Sequence, residues 1–167
     1  IYLGTFSKTF TPGLRIGWVV ASNALINKFV QIKQGSDLQT SSLDQRIAAR
    51  YMKQYHLDDH IDRIKVVYKK RRDVMIQTMK EHFHKDITFV ESTGGLFTWV
   101  CLKEGLDTKK IMEEALTEHV AFVPGVSFFA SGDQHNYMRL NYSCMPEEKI
   151  KLGMERLSKV LNAHYTE

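Results

Sequence analysis

Residues 58–84 run without a proline or a glycine, and Ile61, Ile64, Tyr68, Met75, Met79 and Phe83 recur near a 3.6-residue period. That spacing predicts one helix of about seven turns. A helix of this length is expected to link two bodies, and shorter segments of mixed character lie on both sides of it. The order is α/β, without repeats or low-complexity tracts.

Ahead of the long helix, residues 1–4 read as the end of a strand and residues 16–21 as a second, buried strand. Ser22 is a good N-cap for a helix over 23–33, where Ala24, Leu25, Phe29 and Ile32 keep helical spacing until Gly35 and Ser36. Ser41 with Asp44 three residues on resembles a capping box, and Leu43, Ile47, Tyr51 and Tyr55 continue one apolar stripe. Beyond the long helix, residues 87–90 and 96–102 predict strands joined by Ser92-Thr93-Gly94-Gly95. Asp107 or Thr108 starts a helix to about residue 119, residues 121–123 give a short strand, and Pro124-Gly125 turns the chain. Residues 137–143 form a further strand, and Pro146 opens a final helix to about residue 164.

With 167 residues, 43% of them hydrophobic, the chain can bury a real core. A net charge of +4 argues little for nucleic acid. The basic run Lys69-Lys70-Arg71-Arg72 is spread around a helix circumference, so a solvated face is expected there. No apolar run approaches the roughly 18 residues of a membrane span. Cys101 and Cys144 lack CxxC spacing, which suits reduced thiols and a cytoplasmic location. His56 and His60 have the spacing of a metal pair without the glutamate of HExxH, so no metal is expected. Met75 and Met79 read as core packing, and Trp18 and Trp99 as buried scaffold. The chain opens on Ile1 inside an apolar segment and reads as a piece of a longer protein.

The chemistry concentrates in GTFSKTFTPGLRIGW, residues 4–18. A lysine amine condenses with an aldehyde only in its neutral form, which partial burial and a nearby cation favour. Lys8 is that amine, and Arg15 is placed to supply the field. A guanidinium pairs with phosphate bidentately, and the hydroxyls of Thr5 and Ser7 can satisfy further phosphate oxygens. The implied cofactor is pyridoxal 5′-phosphate. Pro12 and Gly13 are expected to make the tight turn that folds Arg15 back toward Lys8. A P-loop fits less well, because Ser7 stands where its consensus has glycine. In the strand over 137–143, Met138, Leu140 and Tyr142 form an apolar face. Arg139, Asn141 and Ser143 look the other way, to water or into a cleft where Arg139 could clamp a carboxylate.

Together with STGGLFTWV (92–100), VPGVSFF (123–129) and YMRLNYS (137–143), the lysine loop resembles fold-type I pyridoxal-phosphate aminotransferases. The likeness is to the 2-aminoadipate, kynurenine and aromatic aminotransferase subgroup, and to the aminotransferase-like half of MocR-type regulators. It implies that Lys8 forms the Schiff base and shuttles the substrate proton, that Thr5, Ser7 and Arg15 hold the phosphate, and that Arg139 holds the substrate α-carboxylate beside Gly94 and Gly95. It further implies a tail of the large cofactor domain over residues 1–56, a linking helix and small domain over 57–167, amino acid and 2-oxo acid substrates, and a homodimer. The family's aspartate for the pyridine nitrogen and its stacking ring lie upstream of these segments. The fragment alone is therefore expected to be nearly inactive and to self-associate.

Overall fold

Tyr2–Thr5 (β1) and Gly17–Val20 (β2) pair antiparallel, with Tyr2 opposite Val20 and Thr5 opposite Gly17. They open a computed structural model that describes residues 1–165 and divides into two units, Ile1–Lys65 and Val66–Glu167. Two helices follow the hairpin, Asn23–Ser36 (α1) and Ser42–Gln54 (α2). Ser41 caps α2 by accepting the Asp44 N–H at 3.3 Å, as its sequence predicts. Ser22 precedes α1 without a side-chain cap, and α1 runs through Gly35 instead of stopping before it. One helical glycine costs only about 1 kcal/mol. The Lys33–Asp37 ion pair and the Ser36 hydroxyl on the Ile32 carbonyl, both at 2.9 Å, hold that last turn.

The expectation that β2 is buried does not hold. Val20 is 59% exposed, and Ala48 is the one buried residue of the first unit among the described residues. Leu3, Ile32 and Leu43 are exposed as well, and Trp18, expected inside, is 42% exposed against Phe6. A two-stranded hairpin and two helices supply too few layers to cover their own apolar faces.

The second unit has a core of its own. Leu57–His82 forms α3, whose residues from Val66 onward belong to this unit. The strands Thr88–Phe89 (β3), Phe97–Cys101 (β4), Val123–Pro124 (β5) and Tyr137–Asn141 (β6) make one antiparallel sheet in the order β3-β4-β6-β5. Thr108–Thr117 (α4) starts on Asp107, which accepts the Lys109 N–H at 2.9 Å, and Glu147–Ala163 (α5) follows Pro146. Met75 and Met79 of α3, Ile111 and Ala115 of α4, and Leu157 and Leu161 of α5 pack with Val100, Met138, Leu140 and Tyr142. The sheet buries one face beneath helices and leaves the other to different chemistry.

Two local expectations shift. Pro124 is part of β5 at the sheet edge, where a missing N–H costs no ladder bond, and Gly125 opens a 3₁₀ turn over Gly125–Phe128. The run at 69–72 is only half a solvated face. Arg71 Nη1 donates to the Ser143 carbonyl at 2.6 Å, and Arg72 Nη1 donates to the Ser92 carbonyl at 3.2 Å. The physical reason is helical spacing: Arg72 lies four residues from Tyr68, and Arg71 four from Met75, so both share the core-facing side. Lys69 and Lys70 stay exposed.

Three substitutions test these packing assignments. In urea titrations, Leu157→Ala lowers the unfolding free energy of the second unit by about 2–5 kcal/mol. Leu152→Ala, on the same helix but 46% exposed, changes it by less than about 0.5 kcal/mol. A Cβ on Gly125 would lie 2.6 Å from Tyr137 Cβ and 2.7 Å from the Tyr137 carbonyl oxygen. Gly125→Ala is therefore expected to cost about 1–3 kcal/mol, read from the same titration.

Candidate active site

Residues 6–16 form a loop whose mouth is set by the Thr5–Gly17 pair and by the Phe6 N–H on the Ile16 carbonyl at 3.1 Å. Phe10 and Thr11 both donate their N–H to the Phe6 carbonyl, at 2.9 and 3.0 Å, which winds residues 7–10 into a single turn around Lys8. The Thr5 hydroxyl accepts the Ser7 N–H at 3.0 Å. Its own hydrogen has two acceptors in reach, Ser7 Oγ at 3.0 Å and the Ile16 carbonyl at 3.2 Å. Thr5 and Ser7 are thus brought together by the turn itself.

Arg15 returns on the other arm of the loop. Pro12–Leu14 make a 3₁₀ turn, and the left-handed residue is Arg15 itself (φ 53°, ψ 37°), where Gly13 was expected to supply the freedom. A non-glycine residue there stores local strain. Its backbone N–H and its Nη1 both reach the Pro12 carbonyl at 3.3 Å, which fixes the side-chain stem and leaves most guanidinium donors unused. Lys8 makes no hydrogen bond or ion pair among the described residues, and it is exposed rather than partly buried, since the first unit has almost no interior. No aspartate or glutamate precedes Asp37 in the chain. An acid-free loop carrying two cations and the hydrogen-bonded hydroxyls of Thr5 and Ser7 fits a phosphate monoester, and the free amine fits an aldehyde beside it.

In the second unit, strand alternation separates two kinds of side chain on β6. Met138 and Leu140 enter the core, while Arg139 takes the opposite face, with Trp99 and Val123 as its neighbours across the sheet. The Arg139 guanidinium carbon lies 4.1 Å from the centroid of Phe97 and 4.3 Å from that of Phe128. It has no hydrogen bond or ion pair among the described residues, and its Nε is buried without a partner. Arg139 thus carries a half-buried positive charge that no protein anion balances among the described residues.

The Gly94-Gly95 loop is tied to the same strand. Tyr142 donates its hydroxyl to the Gly94 carbonyl at 3.1 Å, the Ser92 hydroxyl donates to the Phe97 carbonyl at 2.8 Å, and Arg72 holds the Ser92 carbonyl. Gly95 has φ 81°, a conformation that side chains disfavour. Burial pushes the Tyr142 phenol above its ordinary range, with the Arg72 charge opposing, so the hydroxyl stays a donor. Phe97, Phe128, Arg71, Arg72 and Tyr142 acquire roles that sequence reasoning did not assign. For Phe97 a signal existed, because its strand parity puts it on the Arg139 face. For Phe128 there was none before the turn at Gly125 was known.

The chain has relatives among known proteins. The aminotransferase class I and II family matches residues 1–157. Aromatic-amino-acid aminotransferase 1 of Thermococcus litoralis is 45% identical over 96% of this chain and 39% of its own length. The crystal structure of LysN, an α-aminoadipate aminotransferase from Thermus thermophilus complexed with N-(5′-phosphopyridoxyl)-L-leucine, superposes with a TM-score of 0.91 at 36% identity, over 97% of this chain and 41% of that one. An uncharacterized HTH-type transcriptional regulator of Bacillus subtilis is 30% identical over 96% of this chain and 33% of its own length. The chain thus spans about two fifths of these aminotransferases. With the family matched over nearly all its residues, the chain belongs to the class I and II aminotransferases.

Proposed function

We propose that this chain is the C-terminal part of a pyridoxal-phosphate-dependent aminotransferase that moves an amino group from an amino acid to a 2-oxo acid. The observation that carries the reading is the acid-free loop on which Lys8, Arg15 and the hydrogen-bonded Thr5–Ser7 pair are collected. Thr5, Ser7 and Arg15 hold the cofactor phosphate. Lys8 is the amine that holds the aldehyde and the base that moves the proton at the substrate α-carbon. Bound pyridoxal phosphate supplies the electron sink for that carbon. Arg139 takes the α-carboxylate in a fork, and the Gly94-Gly95 backbone borders the same substrate. The α-carboxylate is common to all amino acids, so Arg139 sets the substrate class and not the side chain.

The same reading assigns residues 1–56 to the tail of a large cofactor domain, and residues 57–167 to a linking helix and a small domain. The many exposed large apolar side chains of the first unit support it, since apolar surface left uncovered in one unit is what an interface would bury. A homodimer in the cytoplasm completes the proposal. No helix among the described residues is long and apolar enough to cross a membrane. The likeness to an HTH-type regulator favours a second reading, an effector domain behind a DNA-binding segment. A helix-turn-helix encoded upstream of Lys8 in the full-length protein would select that reading.

In the full-length protein, Lys8→Ala is expected to reduce transamination by at least about 10²-fold and to abolish covalent labelling by borohydride in the presence of pyridoxal phosphate, measured by peptide mass mapping. Arg139→Lys keeps the charge and loses the fork. Steady-state kinetics are expected to give a kcat/KM lower by roughly 10- to 100-fold, mostly through KM, because a charge-assisted hydrogen bond contributes about 1.5–3 kcal/mol.

A further inference from the structure

We propose that Phe97 and Phe128 are positioning residues: both rings pack against the Arg139 guanidinium and present its N–H groups, already oriented, to the substrate carboxylate. The inference rests on the reading of Arg139 as the carboxylate-binding group. With ring centroids 4.1 and 4.3 Å from the guanidinium carbon, both phenyl groups are well within cation–π range. An unrestrained arginine loses rotamer freedom when it binds a ligand, whereas one packed against two rings has lost part of it beforehand. Contact with the ring faces uses none of the guanidinium hydrogen-bond donors, so its N–H groups remain for a ligand.

Ordinary core packing does not account for this placement. Phe97 lies on the β4 face that carries Trp99, opposite the face of Thr98 and Val100, and neither Phe97 nor Phe128 belongs to the core cluster. Phe128 is 48% exposed. It is nonetheless held firmly, because the close approach of Gly125 to Tyr137 fixes its turn and Trp99 packs edge-on against it at 5.7 Å and 83°. Phe97 is placed by strand register, one diagonal position from Arg139. Two independent parts of the chain therefore converge on one guanidinium that has no other partner among the described residues.

The test uses the full-length protein with its cofactor and compares kcat/KM for L-leucine, L-phenylalanine and L-2-aminoadipate with that for the amine left when each loses its carboxylate. For the best of the three acids, Phe97→Leu and Phe128→Leu are each expected to lower kcat/KM by about five- to thirtyfold, mainly through KM, with the matching amine changed by less than about twofold. Phe128→Tyr, which keeps a ring over the guanidinium, is expected to restore the acid to within about threefold of the parent. Equal losses for acid and amine, or no loss with the acid, overturn the inference. Arg139→Gln separates it from the reading beneath it. If that variant leaves the acid-to-amine ratio intact, the assignment of Arg139 falls; if it collapses the ratio while the leucine variants do not, only the positioning role falls.

Discussion

Alternation along β6 is the constraint on which the second unit depends. Met138 and Leu140 are buried to 0% and 2% exposure against the helices, and this locks the strand's register between β4 and β5. A slip of one residue would exchange the two faces, exposing those side chains and driving Arg139 into the core. Stability and site geometry are thus set by the same packing. The helices hold the strand, and the strand aims the arginine away from them.

The two candidate constellations share a physical logic although they lie in different units. In each, a cation is held by the chain without being neutralised by it. Arg15 is braced by a single carbonyl and a strained backbone, and Arg139 by two phenyl rings. Neutral restraint leaves the charge of each arginine uncompensated, where a carboxylate neighbour would cancel it. Arg72 shows the contrast, since besides donating to the Ser92 carbonyl it pairs with the Asp73 carboxylate at 2.6 Å and is neutralised by the chain itself.

Much of this was legible in residue order. Periodicity located α3, and the Ser41–Asp44 signature located the start of α2, because helix spacing and caps are local properties. The parity of residues 137–142 correctly sorted Met138, Leu140 and Tyr142 to the core. The lysine loop stood out by residue type alone. The burial of β2 and Trp18 was misjudged for the converse reason: apolar composition says that a segment seeks cover, and only its neighbours decide whether cover exists.

The sequence by itself determined the element order, the apolar faces and the set of groups able to meet a phosphate, an aldehyde and a carboxylate, since these follow from short-range spacing and side-chain chemistry. Tertiary structure alone decided that half of the basic run is structural, that Arg15 and not Gly13 takes the left-handed turn, and that two phenylalanine rings pack against Arg139. Phe97 is brought to that arginine across 42 residues and Phe128 across 11, by strand pairing and a glycine-dependent close approach. Contacts of that kind depend on register and packing over distance, which no local pattern encodes.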